Sequence, residues 1–146
     1  MDAVITRFDV QTSGYGKAHV VAANMHIVCS DNPPTIPTRQ HVVRLVRQHL
    51  DGIAAPDPGT PVVRIMVGDN NLLPQQARQA LQQCTANEPL WEVFAAAAGR
   101  QGDNVAVSGG SARVVPIAVG RSYGDRGMRN DAHDAVGVVI TPWEAK

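Results

Sequence analysis

The sequence predicts a mixed α/β (α+β) fold, a mostly antiparallel sheet with helices on one face. Three observations carry that prediction. Two β-prone runs meet at a glycine turn near the amino end, an amphipathic helical segment separates the second run from a short apolar run, and the last third returns to strand-like sequence. At 146 residues the chain is expected to form one domain, residues 1–146. That length buries roughly two thirds of the unfolded surface, enough for a single core. A hydrophobic share of 44% against 18% charged residues fits a globular protein and excludes a long disordered tail.

The elements follow in order. "AVITRFDV" (3–10) and "KAHVVAANMHIV" (17–28) read as strands, and "TSGYG" between them supplies the turn of an antiparallel hairpin. "SDNPPTIP" (30–37), with three prolines, leaves the sheet. Thr38 stands where a helix N-cap belongs, and Val42, Val43, Leu45, Val46 and Leu50 recur at helical spacing until Asp51-Gly52. Arg39, Arg44, Arg47 and Gln48 are expected on the solvated side of that helix. After the loop "IAAPDPGTP" the apolar run 62–67 reads as a strand covered on both faces, and strand, helix and strand in that order predict a right-handed crossover.

Pro74 suits a first helical position before "QQARQALQQC". Asn87 and Pro89 are expected to start a second short helix over "LWEVFAAAAG", closed by Gly99. Then "DNVAVSGG" (103–110), "ARVVPIAVG" (112–120) and "AVGVVI" (135–140) read as strands, with a Gly/Arg-rich loop through residue 130.

Thirteen basic residues balance thirteen acidic ones, so the molecule as a whole offers no net field to attract nucleic acid or an anionic membrane. Any such attraction is local. Eleven of the basic residues are Arg, which grips phosphate or carboxylate bidentately, although a base-composition bias explains the excess equally well. Cys29 and Cys84 form no C-x-x-C pair and no disulfide framework, and buried free thiols are expected. Charges at Asp2, Arg7 and Asp9 interrupt any signal-peptide core, and no apolar run is long enough for a membrane span. The expectation is an intracellular, soluble protein.

Strand ends are where side chains can leave the ladder and meet a ligand. Strand 17–28 delivers Asn24 and His26, strand 62–67 delivers Asp69 and Asn71, and Asp103 opens a third strand. The loop before residue 135 delivers Asp131, His133 and Asp134. Acids, amides and histidines without cysteine pairs suit phosphate-ester hydrolysis: a carboxylate positions water or metal, amide and imidazole donate to phosphate oxygens, and a histidine moves the proton. Taken singly, each has a plainer reading. Asp69 and Asn71 could be a post-strand turn, His26 a satisfied core histidine, and Asp103 or His133 loop residues. "SGYGKAH" lacks the glycine spacing and the hydroxyl of a phosphate loop. His41 and His49 have no third ligand for zinc. Arg113, Arg121, Arg126 and Arg129 flank the candidate residues and read as solvated loop charge.

Taken together, "VRIMVGDNN", "GDNVAVSGG", "AHDAVGVVI" and "NMHI" resemble the endonuclease/exonuclease/phosphatase superfamily, which has the deoxyribonuclease-I-like fold. Gly68-Asp69-Asn70-Asn71 matches its Gly-Asp-x-Asn motif, with Asn70 where an aromatic residue is usual, and the motifs occur in the family's order. The resemblance implies that His133 is the catalytic histidine, with Asp103 orienting its ring. It implies that Asp69 aligns or deprotonates water, that Asn71 and His26 donate to phosphoryl oxygens, and that Mg2+ assists. Asp131 is the candidate metal ligand, one position removed from the family's acid, which is Ala132 here. Glu88, Glu92 and Glu144 match no metal-binding Glu of the family.

The resemblance covers about the second half of the family domain, so the chain is expected to be amino-terminally truncated, one half to two thirds of the family's four-layer sandwich. The implied partner is a phosphate-ester substrate, with nucleic acid among the choices. The inner apolar face of strands 17–28, 62–67 and 103–107 is expected to lie open, which predicts a homo-oligomer or a partner chain completing the fold. The alternative function is a catalytically inactive remnant or subunit of the same fold, acting through binding or assembly.

Overall fold

The computed structural model describes residues 2–27, 32–95, 103–115 and 136–142. The elements are strands β1 (Asp2–Thr12) and β2 (Gly16–His26), helix α1 (Ile36–Asp51), strand β3 (Val62–Asp69), helix α2 (Pro74–Ala80), then strands β4 (Glu92–Ala95), β5 (Asp103–Ser108), β6 (Ser111–Val115) and β7 (Gly137–Thr141). Five strands form one sheet in the order β1-β2-β3-β5-β4, and β6 pairs with β7 in a second, two-stranded sheet. Only β2 and β3 run parallel among these pairs, joined through α1; the others are antiparallel. This is the mixed, mostly antiparallel architecture that the sequence predicts.

Alternation along the strands separates two faces. One carries Ala23, Met66, Ala106 and Val93, which stand in one register row across β2, β3, β5 and β4. Val43, Val46 and Leu50 of α1, with Ala77 and Ala80 of α2, close over this face and complete the core. Each fully buried Val or Leu of this kind contributes about 1.5–3 kcal/mol. The opposite face carries Phe8, Val20 and Val63 in one row and Ala22, Ile65 and Val107 in the next.

That second face, expected to lie open, is covered in part, with Ala22, Ile65, Val67 and Val105 still partly exposed. Val20, Val63 and Val107 are buried. Ile140 of β7 and Pro142 lie across the face, forming with Phe8, Val10, Val20, Val63 and Ile65 an apolar cleft of about 260 Å3. Exposed apolar side chains also occur on β1, where Val4 is 64% and Phe8 47% exposed.

Helix α1 starts three residues earlier than the sequence suggests. Thr35, in extended conformation, is the N-cap, and its Oγ1 accepts from the Thr38 N–H at 3.3 Å. Pro37 fits the first turn, whose N–H groups have no helical partner in any case. Leu45 is half exposed, so it is not part of the apolar stripe. Helix α2 begins at Pro74 as expected but stops at Ala80, so the run to Cys84 is not helical throughout.

The helix expected over "LWEVFAAAAG" is a correction as well: Glu92–Ala95 is a strand paired to β5, and residues 96–99 lie outside the described residues. Val93 is buried against the helices, its carbonyl accepts from Arg78, and Trp91 is buried with its Nε1 donating to Asp51 at 3.0 Å. Over Glu92–Ala95 a free ladder edge on β5 outweighs helical propensity. The last predicted strands fall on β5, β6 and β7, but most of the stretch 112–120 lies outside the described residues.

Two other expectations change. Arg47 is buried, not solvated, and its guanidinium reaches Asp51, Glu88 and the carbonyls of Leu81, Gln82 and Pro89. Cys84 is exposed rather than buried, and Cys29 lies outside the described residues. No described helix is long and apolar enough to cross a membrane.

Glu88 gives this region a pH response. A hydrogen bond from the Cys84 N–H, at 2.7 Å, and the Arg47 guanidinium hold its carboxyl below the ordinary value of 4.5, against the opposing cost of desolvation. A carboxylate favoured in the folded state binds fewer protons there than in the unfolded chain, so its stabilising contribution is complete above about pH 4.5 and fades as pH falls through the lower folded value. The stability difference between wild type and Glu88→Gln, measured by urea titration, is expected to shrink on acidification below that value. A difference that stays constant from neutral pH into that range overturns the assignment.

Candidate functional site: the polar end of the sheet

At one end of the second face the apolar rows give way to a polar one. His26 of β2 is in register with Asp69 of β3, and Asp69 with Asp103 of β5. Neighbouring strands lie about 4.8 Å apart, so the three Cα positions form a short row across adjacent strands. Asn24 stands one alternation inward on β2, and both Asn24 and His26 are exposed while Asp69 is half-buried. The row occupies the carboxyl ends of the two parallel strands, a position where α/β sheets collect ligand-binding groups.

The chain makes this end through the stretch Gly68-Asp69-Asn70-Asn71. Gly68 has φ +116, and a Cβ there would lie 2.1 Å from the Met25 carbonyl oxygen and 2.8 Å from Asn24 Oδ1. Only glycine lets β3 lie this close to β2 in that conformation. Asp69 Oδ1 then accepts the Asn71 N–H at 2.9 Å, an Asx turn, which is the plain turn reading realised. Asn71 has φ 51, a left-handed conformation that Asn tolerates. Its Nδ2 donates to the Ile27 carbonyl at 2.5 Å and ties the ends of β2 and β3 together. One amide hydrogen of Asn71 is thus committed to the scaffold.

Three residues hold this turn without having been singled out from the sequence. Asn70, read only as the place of an aromatic residue, is buried; its Oδ1 accepts from the Leu72 N–H at 3.1 Å and from Asn104 Nδ2 at 3.0 Å. Asn104 also donates to the Leu72 carbonyl at 2.9 Å, which binds β5 to the turn. Arg39, expected on the solvated helix face, donates to the Asn71 carbonyl at 2.6 Å and to the Pro34 carbonyl at 2.8 Å. A signal existed for Asn104, since it follows an acid already singled out. For Arg39 nothing local distinguished it from its neighbours.

Of the site residues expected from the sequence, His26, Asp69 and Asn71 come together, and the backbone of Asp103 stands beside them in register. His133 and Asp131 lie outside the described residues, as does Asp134. Among the described residues no group of three or more His, Cys, Asp or Glu side chains could hold a metal ion. The described donors therefore do not by themselves fit the octahedral oxygen shell that Mg2+ demands.

No family model matches the chain, and no curated protein does. In structure it is similar to CdtB, the biologically active subunit of cytolethal distending toxin, at a TM-score of 0.41 and 14% sequence identity, over 92% of this chain and 55% of that one. The chain thus spans little more than half the length of that protein.

Proposed function

We propose that the polar end of the sheet is a phosphate-ester site and that the chain is a phosphoesterase of the endonuclease/exonuclease/phosphatase type. The observation that carries this reading is the register row His26–Asp69–Asp103, with Asn71 turned onto the same strand ends. These residues come from three segments with no reason in sequence to align, and they are the ones whose chemistry suits phosphoryl transfer. In the proposed reaction Asp69 aligns the attacking water and helps take its proton, while His26 and the remaining amide hydrogen of Asn71 donate to the phosphoryl oxygens as negative charge develops there. Water attacks phosphorus in line with the leaving oxygen, the P–O bond to that oxygen breaks, and the oxygen departs with the electron pair. The proton it needs is assigned to His133, with Asp103 orienting the imidazole; both roles rest on the resemblance. Magnesium is implied by the same resemblance, and no step above depends on it.

The test is hydrolysis of nicked DNA and of a generic phosphodiester, with and without added magnesium. Asp69→Ala and His133→Ala are each expected to lower the rate by about 10²–10⁴-fold, and His26→Ala by a smaller factor, with unchanged far-UV circular dichroism. Wild type no faster than these variants on every ester removes the enzyme. The second reading, a binding or assembly subunit of the same fold, draws on the bonds that Asp69 and Asn71 already spend on the turn. It predicts phosphate-ester binding that His26→Ala weakens, with no turnover.

A further inference from the structure

We propose that β1 is the docking edge for a second copy of this chain, two β1 strands pairing antiparallel across a two-fold axis at Phe8. By its place in the sheet β1 is an outermost strand, and among the described residues nothing pairs with its outer edge. It is also long and regular. Its register with β2 runs without a bulge through 11 consecutive pairs, from Asp2 opposite His26 to Thr12 opposite Gly16. Soluble proteins protect such edges with Pro, bulges, short strands or charges; β1 has no Pro and no bulge and is long, and its charges at Arg7 and Asp9 are of opposite sign. Instead it presents Val4, Ile5 and Phe8, all exposed.

The sequence of β1 complements itself in one antiparallel register. With Phe8 opposite the partner's Phe8, Arg7 falls opposite the partner's Asp9 and Asp9 opposite the partner's Arg7, so two opposite-charge pairs flank the axis. Thr6 then faces the partner's Val10, and Val4 the partner's Thr12. Alternation puts the charge pairs on the helix-covered side of the sheet and the two Phe8 rings on the other side. There Phe8 already borders the apolar cleft with Val10, Val20 and Ile140, so the seam continues an apolar surface already present in each copy. Arg7 makes no ion pair among the described residues, whereas Asp9 accepts from Lys17 and pairs with His19. The Arg7 guanidinium is thus the group that gains most from the seam. The two five-stranded sheets would join into one continuous sheet.

Sedimentation from about 1 to about 200 µM is expected to show a monomer–dimer equilibrium with a micromolar dissociation constant, as suits a small interface. Arg7→Glu sets like charges against the partner's Asp9, and Asp9→Lys sets them against the partner's Arg7; each is expected to raise the constant at least about tenfold. Arg7→Lys keeps the charge and the dimer. An equimolar mixture of the Arg7→Glu and Asp9→Lys chains, each folded by circular dichroism, is expected to regain the dimer, because both flanking pairs become attractive again. A wild type that stays monomeric at about 200 µM overturns the proposal. So does a dimer that both variants leave intact, which would place the contact on the apolar face instead. Failure of the mixed chains to associate overturns it as well.

Discussion

Replacing Gly68 with alanine is expected to lower stability by about 3–4 kcal/mol, seen as a fall of about 2 M in the urea midpoint. Two costs combine. The residue sits at φ +116, where an L side chain is strained, and the new methyl would lie 2.1 Å from the Met25 carbonyl oxygen. That oxygen belongs to the backbone of β2, so relief requires separating two strands whose pairing sets His26 beside Asp69. Met25 and Gly68 are register partners one step before His26 and Asp69. On the proposed function the substitution should act even in molecules that remain folded: phosphate-ester binding or turnover should fall together with stability, and hydrogen exchange at the ends of β2 and β3 should accelerate before the rest of the sheet. A Gly68→Ala chain with the wild-type urea midpoint would show that β3 does not approach β2 in this way.

Arg47→Ala is expected to cost about 2–3 kcal/mol, the loss of a buried, hydrogen-bonded guanidinium whose carboxylate partners are partly exposed. Asp51 lies 3.2 Å from the guanidinium and Glu88 2.9 Å, and the Leu81 and Gln82 carbonyls accept from it at 3.2 and 2.9 Å. Truncation leaves these acceptors facing a void between α1 and the segment after α2. Lysine cannot supply a planar fork to two carboxylates and several carbonyls at once, so Arg47→Lys should recover less than half of the loss. Arg44→Ala, one residue type and three positions away but partly exposed, should stay within about 0.5 kcal/mol of wild type. Urea titration of the three variants checks the order. Equal effects at positions 44 and 47 would return Arg47 to the solvated face that the sequence alone suggests.

These two positions show where single-chain reading succeeds and where it stops. Gly68 was legible as the place where an apolar run ends, since a glycine before an acid and two amides interrupts strand chemistry locally. Arg47 was not, because the helix stripe contains Val43, Val46 and Leu50 on one side and nothing in the spacing says that the segment 81–89 will close over the neighbouring position. The strand at Glu92–Ala95 failed for a related reason. The alanine run that begins at Ala95 favours a helix in sequence, and only the unpaired edge of β5 makes the extended form the better one over Glu92–Ala95. Cys84 failed because burial depends on what packs against the residue, and thiol chemistry alone does not settle that.

The candidate site divides in the same way. Residue types and local turns were set by the sequence itself: the hairpin glycines, Pro74 at the start of α2, the Asx turn of Asp69, and the acids, amides and histidine waiting at strand ends. Those are short-range effects, decided by φ preferences and by side chains bonding their own backbone. That His26, Asp69 and Asp103 share one row was decided only by tertiary structure. Register between strands far apart in sequence is chosen by which slide buries Met25, Met66 and Ala106 beneath the helices. A slip of one residue would turn those three outward and the polar row inward.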